Sequence, residues 1–291
     1  MSAVPFKPVS ARRRRTDKFM RGLMWAAALI ALIPLGLVIY YILKEGLSQI
    51  SGDLFSTDPT GNFIGDIGGI KSAIIGTLIM VALATLISVP IGIAIAVWLV
   101  EYGRGTWPAN VIRYLIDVMT GVPSVVFGLF IYVTLVETGF GGSGFAAWKG
   151  SVAISLLMLP VVARSAEVVL LLVPDSLRES ALALGSPRWR VIARIVLPTA
   201  APGLLTGSLL AVARGAGETA PLLFTVQATL GTSYALGQRM NSLPLEIFND
   251  IQSPNPAVVD RAWGAALTLV ALILIITLIA RFIASRSRLA T

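Results

Sequence analysis

The sequence predicts an all-α, polytopic membrane protein with six transmembrane helices, and three observations predict it. The 291-residue chain is 56% hydrophobic and only 13% charged, too apolar for a soluble domain. The apolar residues gather into six runs, each long enough to cross a hydrocarbon core. The basic residues then choose sides. Of 23 Lys and Arg, 16 fall in the segments 1–21, 101–113, 174–200 and 281–291. Five fall in the alternate segments, and Arg164 and Arg214 lie within runs. Lys and Arg accumulate on the cytoplasmic side, so both termini are expected inside.

Residues 1–21 form a basic tail with Arg12, Arg13, Arg14 and Arg15 in succession. Next to a span, such a run reads as a positive-inside anchor among lipid headgroups. A nucleic-acid partner is therefore not expected. Residues 22–291 read as one six-span transmembrane domain, with no internal repeat and no soluble unit. Span one covers 22–43, and no cleavable signal is expected, because the run is long enough to span. Residues 44–70 are polar and glycine-rich, an external loop. Span two covers 72–100, with Pro90 predicting a kink.

Residues 101–112 are a short inner loop. Span three, 113–137, is interrupted by Thr120-Gly121-Val122-Pro123-Ser124. Backbone freed in mid-membrane must be buried in protein or line a cavity, though a plain packing kink would also fit. Residues 140–150 fit an external turn. Span four is 151–173, and span five, 201–226, is rich in small residues that allow close helix approach. Residues 227–261 form the longest external loop, and span six is 262–283.

Between spans four and five lies the loop 174–200, polar, basic and punctuated for helices. Ser176 and Glu179 have capping-box spacing, predicting a helix start. Gly185 sits where a C′ glycine would end that helix. Ser186 and Pro187 supply an N-cap and an N1 proline for a second helix, and Pro198 is expected to close it. Two uses fit this hairpin. It can lie on the membrane surface with Arg178, Arg188, Arg190 and Arg194 among headgroups, or it can be a docking knob for a soluble partner. Spacing alone leaves both open.

Four ionisable residues are expected in mid-span. Arg164 and Glu167 are three apart, and Arg214 and Glu218 four apart, so each pair can meet on one helix face. An isolated arginine at a helix centre costs about 2.5–3.5 kcal/mol on insertion scales, so these groups must face one another or a wet cavity. Self-neutralising structural locks are one reading. The other is an anion site, in which guanidinium forks grip a tetrahedral oxyanion and the glutamates keep the empty site near neutral. Both arginines are expected near the middle of the bilayer. Ser124, at the break of span three, is a further candidate.

The chain contains no Cys and no His, which excludes disulfides, thiolate metal sites and imidazole relays. Nor does it contain G-x-x-x-x-G-K-[ST], so it is not expected to bind ATP by a P-loop, or to be an enzyme. No cofactor is expected on this chain.

The loop resembles the EAA loop of ABC importer permeases: Glu179, Ser180 in place of an alanine, Ala181, then Gly185, then Ile195, Leu197 and Pro198. The runs GVPSVVFGLF (121–130), RSAE (164–167) and ARGAGETAPL (213–222) are similar to permease subunits of Pst-type phosphate importers, the last more to the A-type than the C-type subunit. The resemblance covers residues from about 70 onward. It implies a type I ABC importer fold whose coupling helix, 174–200, docks on an ATPase. It implies a heterodimer with a second permease, two ATPase subunits holding ATP and magnesium, and an extracytoplasmic phosphate-binding protein. The activity expected is import of inorganic phosphate by alternating access. A permease for sulfate or molybdate, and less favourably an ion-coupled carrier, are the alternatives. The carrier reading leaves the capped cytoplasmic hairpin unexplained.

Overall fold

The computed structural model describes residues 10–62, 65–142 and 144–287, with side chains through Phe282 in the last helix. The first nine residues of the basic tail lie outside the described residues, as do the side chain of Arg286 and all of Arg288. The described chain is helical, with one isolated bridge between Pro59 and Gly68 in the loop 44–70; "outer" names that end of the bundle and "inner" the opposite one, after the orientation expected from the charges.

The first helix, α1 (Ala11–Leu47), begins earlier than the apolar run. Arg12 to Arg15 form its opening turns rather than an irregular tail, because Ser10 caps the helix by accepting from the Arg13 N–H. A short helix, α2 (Gly52–Ser56), opens the outer loop. Helix α3 (Lys71–Val97) passes Pro90 without a break and ends in a π turn, Trp98–Tyr102. Span three is not a kinked rod. Helices α4 (Trp107–Gly121) and α5 (Ser124–Ile131, continued by a π turn Tyr132–Val136) meet at 102°. So sharp an angle favours the broken helix over the packing kink.

Helix α6 (Ala147–Leu171) is the axis of the bundle and carries more buried residues than any other described helix. Its outer end is fixed by Lys149, whose Nζ donates to the carbonyls of Leu135, Gly142 and Gly144 at 2.8–2.9 Å. Helix α7 (Asp175–Ala183) follows. The chain then runs as one rod from α8 (Arg188–Val191) through a π turn (Ile192–Val196) into α9 (Leu197–Ala216).

This rod corrects two expectations. Pro198 does not close a helix. The π turn shifts the hydrogen-bond register, the Leu197 N–H reaching the Ile192 carbonyl, so the missing proline N–H falls where the ladder has already slipped. Span five is therefore Arg188–Ala216 rather than 201–226, and the chain turns at Gly217 into a separate short helix, α10 (Ala220–Thr225). The loop 227–261 holds α11 (Leu243–Asp250), and α12 (Pro256–Ser287) completes the fold. Among the described residues, five helices are long and apolar enough to span, and the bent α4–α5 pair makes a sixth crossing if counted as one.

Small residues set the packing of α9 on α6. A Cβ on Gly203 would lie 2.6 Å from Val169, and one on Gly215 would lie 2.8 Å from Met158. The main core joins α3, α6, α9 and α10 around Met80, Ile154, Met158 and Leu222. A second core at the inner end joins Val100, Leu170, Val173 and Val196 to Ala181 of α7.

Candidate functional site: an arginine-lined groove and its inner-face helix pair

Helices α4, α6 and α9 enclose a groove of about 740 Å³. Arg164 from α6, Arg214 from α9 and Thr120 from the end of α4 all line it. The 102° break after Thr120 is what lets α4 end against α6 and leave the space open.

The two arginines, both expected near the middle of the bilayer, are not level. Gly207 packs against Ser165, which sets Arg164 about six residues below Arg214 on the antiparallel helix. At 1.5 Å per residue the offset is roughly 9 Å along the groove. Arg214 sits in the last turn of α9 rather than at the middle of a span, because the helix stops at Ala216.

The carboxylates divide unevenly. Glu167 is buried and takes two partners: Arg164 Nη1 donates at 2.9 Å and Arg113 Nε at 2.6 Å. Asp117 approaches Arg164 Nε at 3.7 Å. Glu218 lies past the end of α9, not on its face, and reaches Arg214 only at 3.8 Å. Three guanidiniums thus face three carboxylates, so the charges in and behind the groove balance. Arg164 and Arg214 remain 49% and 47% exposed, so each keeps donors free for a ligand. Ser124 does not line this groove; it opens α5, whose Gly128 packs on Pro221 of α10. Sequence reading did not single out Arg113 and Asp117, which it placed in the first two turns of span three; what brings them to the site is their contact with Glu167 and Arg164 of α6.

On the inner face, Gly185 adopts φ +79°. The Ser186 N–H donates to the Ala181 carbonyl and the Gly185 N–H to the Leu182 carbonyl, the two bonds of a Schellman motif. The Ser176–Glu179 capping box does not form. Pro174 precedes the helix, so Ser176 is already in the first turn, and no side chain caps the start. Likewise Pro187 stands at the N-cap of α8 and Ser186 just outside it. Ser180 lies in α7 beside Glu179, Ile195 in the π turn, and Leu197 and Pro198 in the first turn of α9. Ala181, Val191 and Val196 face the inner core, while Leu184 and Trp189 are exposed.

Arg178 is not among headgroups. Its side chain is buried, donating from Nε to Glu101 Oε1 at 3.0 Å and from Nη1 to Asp175 Oδ1 at 3.0 Å. It also donates to the carbonyl of Leu170, in the last turn of α6, and to that of Val173, just past its end.

The outer face carries a second buried cluster. Arg261 donates to both oxygens of Asp250, at 2.7 and 2.9 Å, and to the Ile67 carbonyl, and it meets Glu246 at 2.9 Å. Asn241 donates to Glu246 at 2.6 Å. Burial, with Asp250 nearby, pushes the Glu246 carboxyl up. Burial also pushes Asp250 up, against the opposing pull of Arg261.

The model of a family described as binding-protein-dependent transport system inner membrane component matches residues 88–289. The phosphate transport system permease protein PstA of Mycobacterium leprae is 40% identical, over 98% of this chain and 95% of its own. The protein of the same name from Yersinia pestis is 38% identical, over 96% and 93%. Two solved structures share the fold. A bacterial alginate ABC transporter, in complex with an alginate-bound periplasmic protein, aligns at TM-score 0.68 and 18% identity over 94% and 96% of the two chains. The MetNI methionine ABC transporter aligns at TM-score 0.57 and 20% identity, over 75% and 94%.

Proposed function

The chain belongs to the inner membrane component family of binding-protein-dependent transport systems, and from that premise we propose that it is the PstA-type permease of a phosphate ABC importer. The observation that carries the reading is the groove in which Arg164 and Arg214 stand half-exposed at successive levels. A tetrahedral oxyanion suits such forks, which give two parallel donors each. Glu167, Asp117 and Glu218 compete with the anion for the same guanidiniums. The competition keeps binding weak enough for release, which a carrier site requires. The offset of the arginines lets the anion pass from one to the other as the helices rearrange.

The relatives' names support phosphate over sulfate or molybdate and over an ion-coupled carrier. In the proposed assembly a second permease closes the open side of the groove. An extracytoplasmic phosphate-binding protein delivers the anion, and two ATPase subunits hold ATP and its magnesium. Helix α7, with Glu179, Ser180, Ala181 and the Gly185 turn, is the part that seats on an ATPase. Both termini then lie in the cytoplasm.

The test is uptake of labelled phosphate by the reconstituted complex, with sulfate and molybdate as competitors. Phosphate uptake driven by ATP and unaffected by either competitor is the expected result. Preferential uptake of another oxyanion would overturn the substrate, and uptake without an ATPase subunit would overturn the class. Gly185→Val should keep membrane insertion but weaken ATPase association, since left-handed backbone costs an ordinary residue about 1–2 kcal/mol, and a β-branched one resists it most. Normal ATP-driven uptake in that variant would remove the docking role.

A further inference from the structure

We propose that Arg178, Glu101 and Arg113 are positioning residues that join the inner-face helix α7 to the anion groove by two sets of polar contacts linked through the backbone of the Trp98–Tyr102 turn. The chain can be followed atom by atom. Arg178 of α7 holds Glu101 in the π turn that ends α3. Two residues earlier in that turn, the Leu99 carbonyl accepts from Arg113 Nη2 at 3.2 Å. The same guanidinium donates from Nε to Glu167, and Glu167 in turn accepts from Arg164 in the groove. Arg164 is thereby aimed by a carboxylate whose other partner is anchored to the end of α3.

The link is stiff where it needs to be. Glu101, Arg178 and Glu167 are all buried, so water does not compete for their contacts. It has a place to give as well. A π turn is a local register fault, and Gly103 closes this one by donating to the Trp98 carbonyl at 2.7 Å. A shift of α7 pulls on Glu101, changes the turn that presents the Leu99 carbonyl, and so alters the share of Glu167 left for Arg164. When Arg113 takes more of Glu167, Arg164 is freer for the anion; when it takes less, Glu167 competes the anion away. Coupling of this kind needs an element with two arrangements that both ends bias, and the Trp98–Tyr102 turn is that element.

The inference rests on the groove carrying the transported anion, and its test separates the two. The assembled importer is reconstituted with Arg113→Lys, Arg178→Lys and both together. Phosphate uptake and ATP hydrolysis are measured side by side. Each single variant should raise the ATP hydrolysed per phosphate taken up by roughly tenfold, the scale of one lost charge-assisted contact. Along one chain a second cut adds little, so the double variant should stay within about twofold of the worse single. If Arg178→Lys does not assemble, Glu101→Gln breaks the same end and carries the same expectation. Multiplying effects, near a hundredfold in the double variant, would overturn the chain while leaving phosphate transport in place. A wild-type complex that takes up no phosphate would overturn the transport reading, and the chain with it.

Discussion

Two kinds of arginine divide this molecule. Arg178 and Arg261 have side chains 9% and 8% exposed, and every nitrogen of each guanidinium is engaged. Each ties three pieces of chain: α7, α3 and α6 at the inner face, and α12, α11 and the 67 loop at the outer face. Arg164 and Arg214 are about half exposed, with contacts of 3.7 and 3.8 Å among their ion pairs. The same side chain is a fastener where its donors are saturated and a receptor where they are not. The difference comes from what faces it. Helix-end carbonyls and two carboxylates fill a fork completely, while a groove lined by Thr120, Pro160 and Gly203 leaves it open.

The sharpest way to break the comparison is to delete one arginine of each kind. Arg261→Met leaves Asp250 and Glu246 buried without their cation, which should cost about 3–5 kcal/mol. Thermal unfolding of the purified complex should show a large drop. Arg214→Met should leave unfolding almost unchanged yet abolish uptake, because its carboxylate partner is distant and partly solvated. Equal thermal losses in the two variants would erase the distinction.

A smaller step asks whether the open arginines act through geometry or charge. Arg214→Lys keeps the charge and loses the fork, so uptake should fall about 10- to 100-fold, the worth of 1.5–3 kcal/mol in charged hydrogen bonds. Glu218→Gln should act differently, slowing release and turnover while phosphate is still held. If instead Arg214→Lys transports normally and Glu218→Gln fails to assemble, that pair belongs with the fasteners.

The smallest expected effect concerns pH at the outer cluster. Glu246 and Asp250 titrate above their ordinary range in the folded protein because burial disfavours their charged forms. A raised carboxyl means the folded state binds protons more readily than the unfolded one. The stability it lends is present below the ordinary value of 4.5 and is lost as pH rises through the shifted value. Glu246→Gln imitates the protonated form, so its melting temperature should depend less on pH on the alkaline side than that of the wild type. An unchanged pH profile would mean that Arg261 holds Glu246 ionised throughout.

Much of this was legible in the residues because it depends on local rules. Length and apolarity fixed the spans to within a turn for α3 and α6, since hydrocarbon thickness sets how many residues must be apolar. Gly185 ended α7 as expected, because only a glycine takes φ +79° without strain. Thr120 to Ser124 marked the break, because Gly121 and Pro123 both weaken a helix there. The family followed from the EAA-like loop and three short runs, and the match over residues 88–289 bears it out.

Other features were decided only in three dimensions. Pro198 looked like a terminator, yet a π turn upstream absorbed it, and a π turn forms when packing favours a slipped register. Span five was read through Gly217 to Val226, since both halves are apolar, but α10 packs on α5 and the outer end of α6 instead. Most telling are the arginines. Arg113 stood at the boundary between loop and span three, Arg178 was one of four arginines that could lie among headgroups, and Arg164 and Arg214 were both expected near the middle of the bilayer. A guanidinium has five donors, and composition records only that they exist. Whether they are spent on helix ends and carboxylates or left facing a groove depends on which residues, up to 194 positions apart, the fold brings within about 3 Å of them.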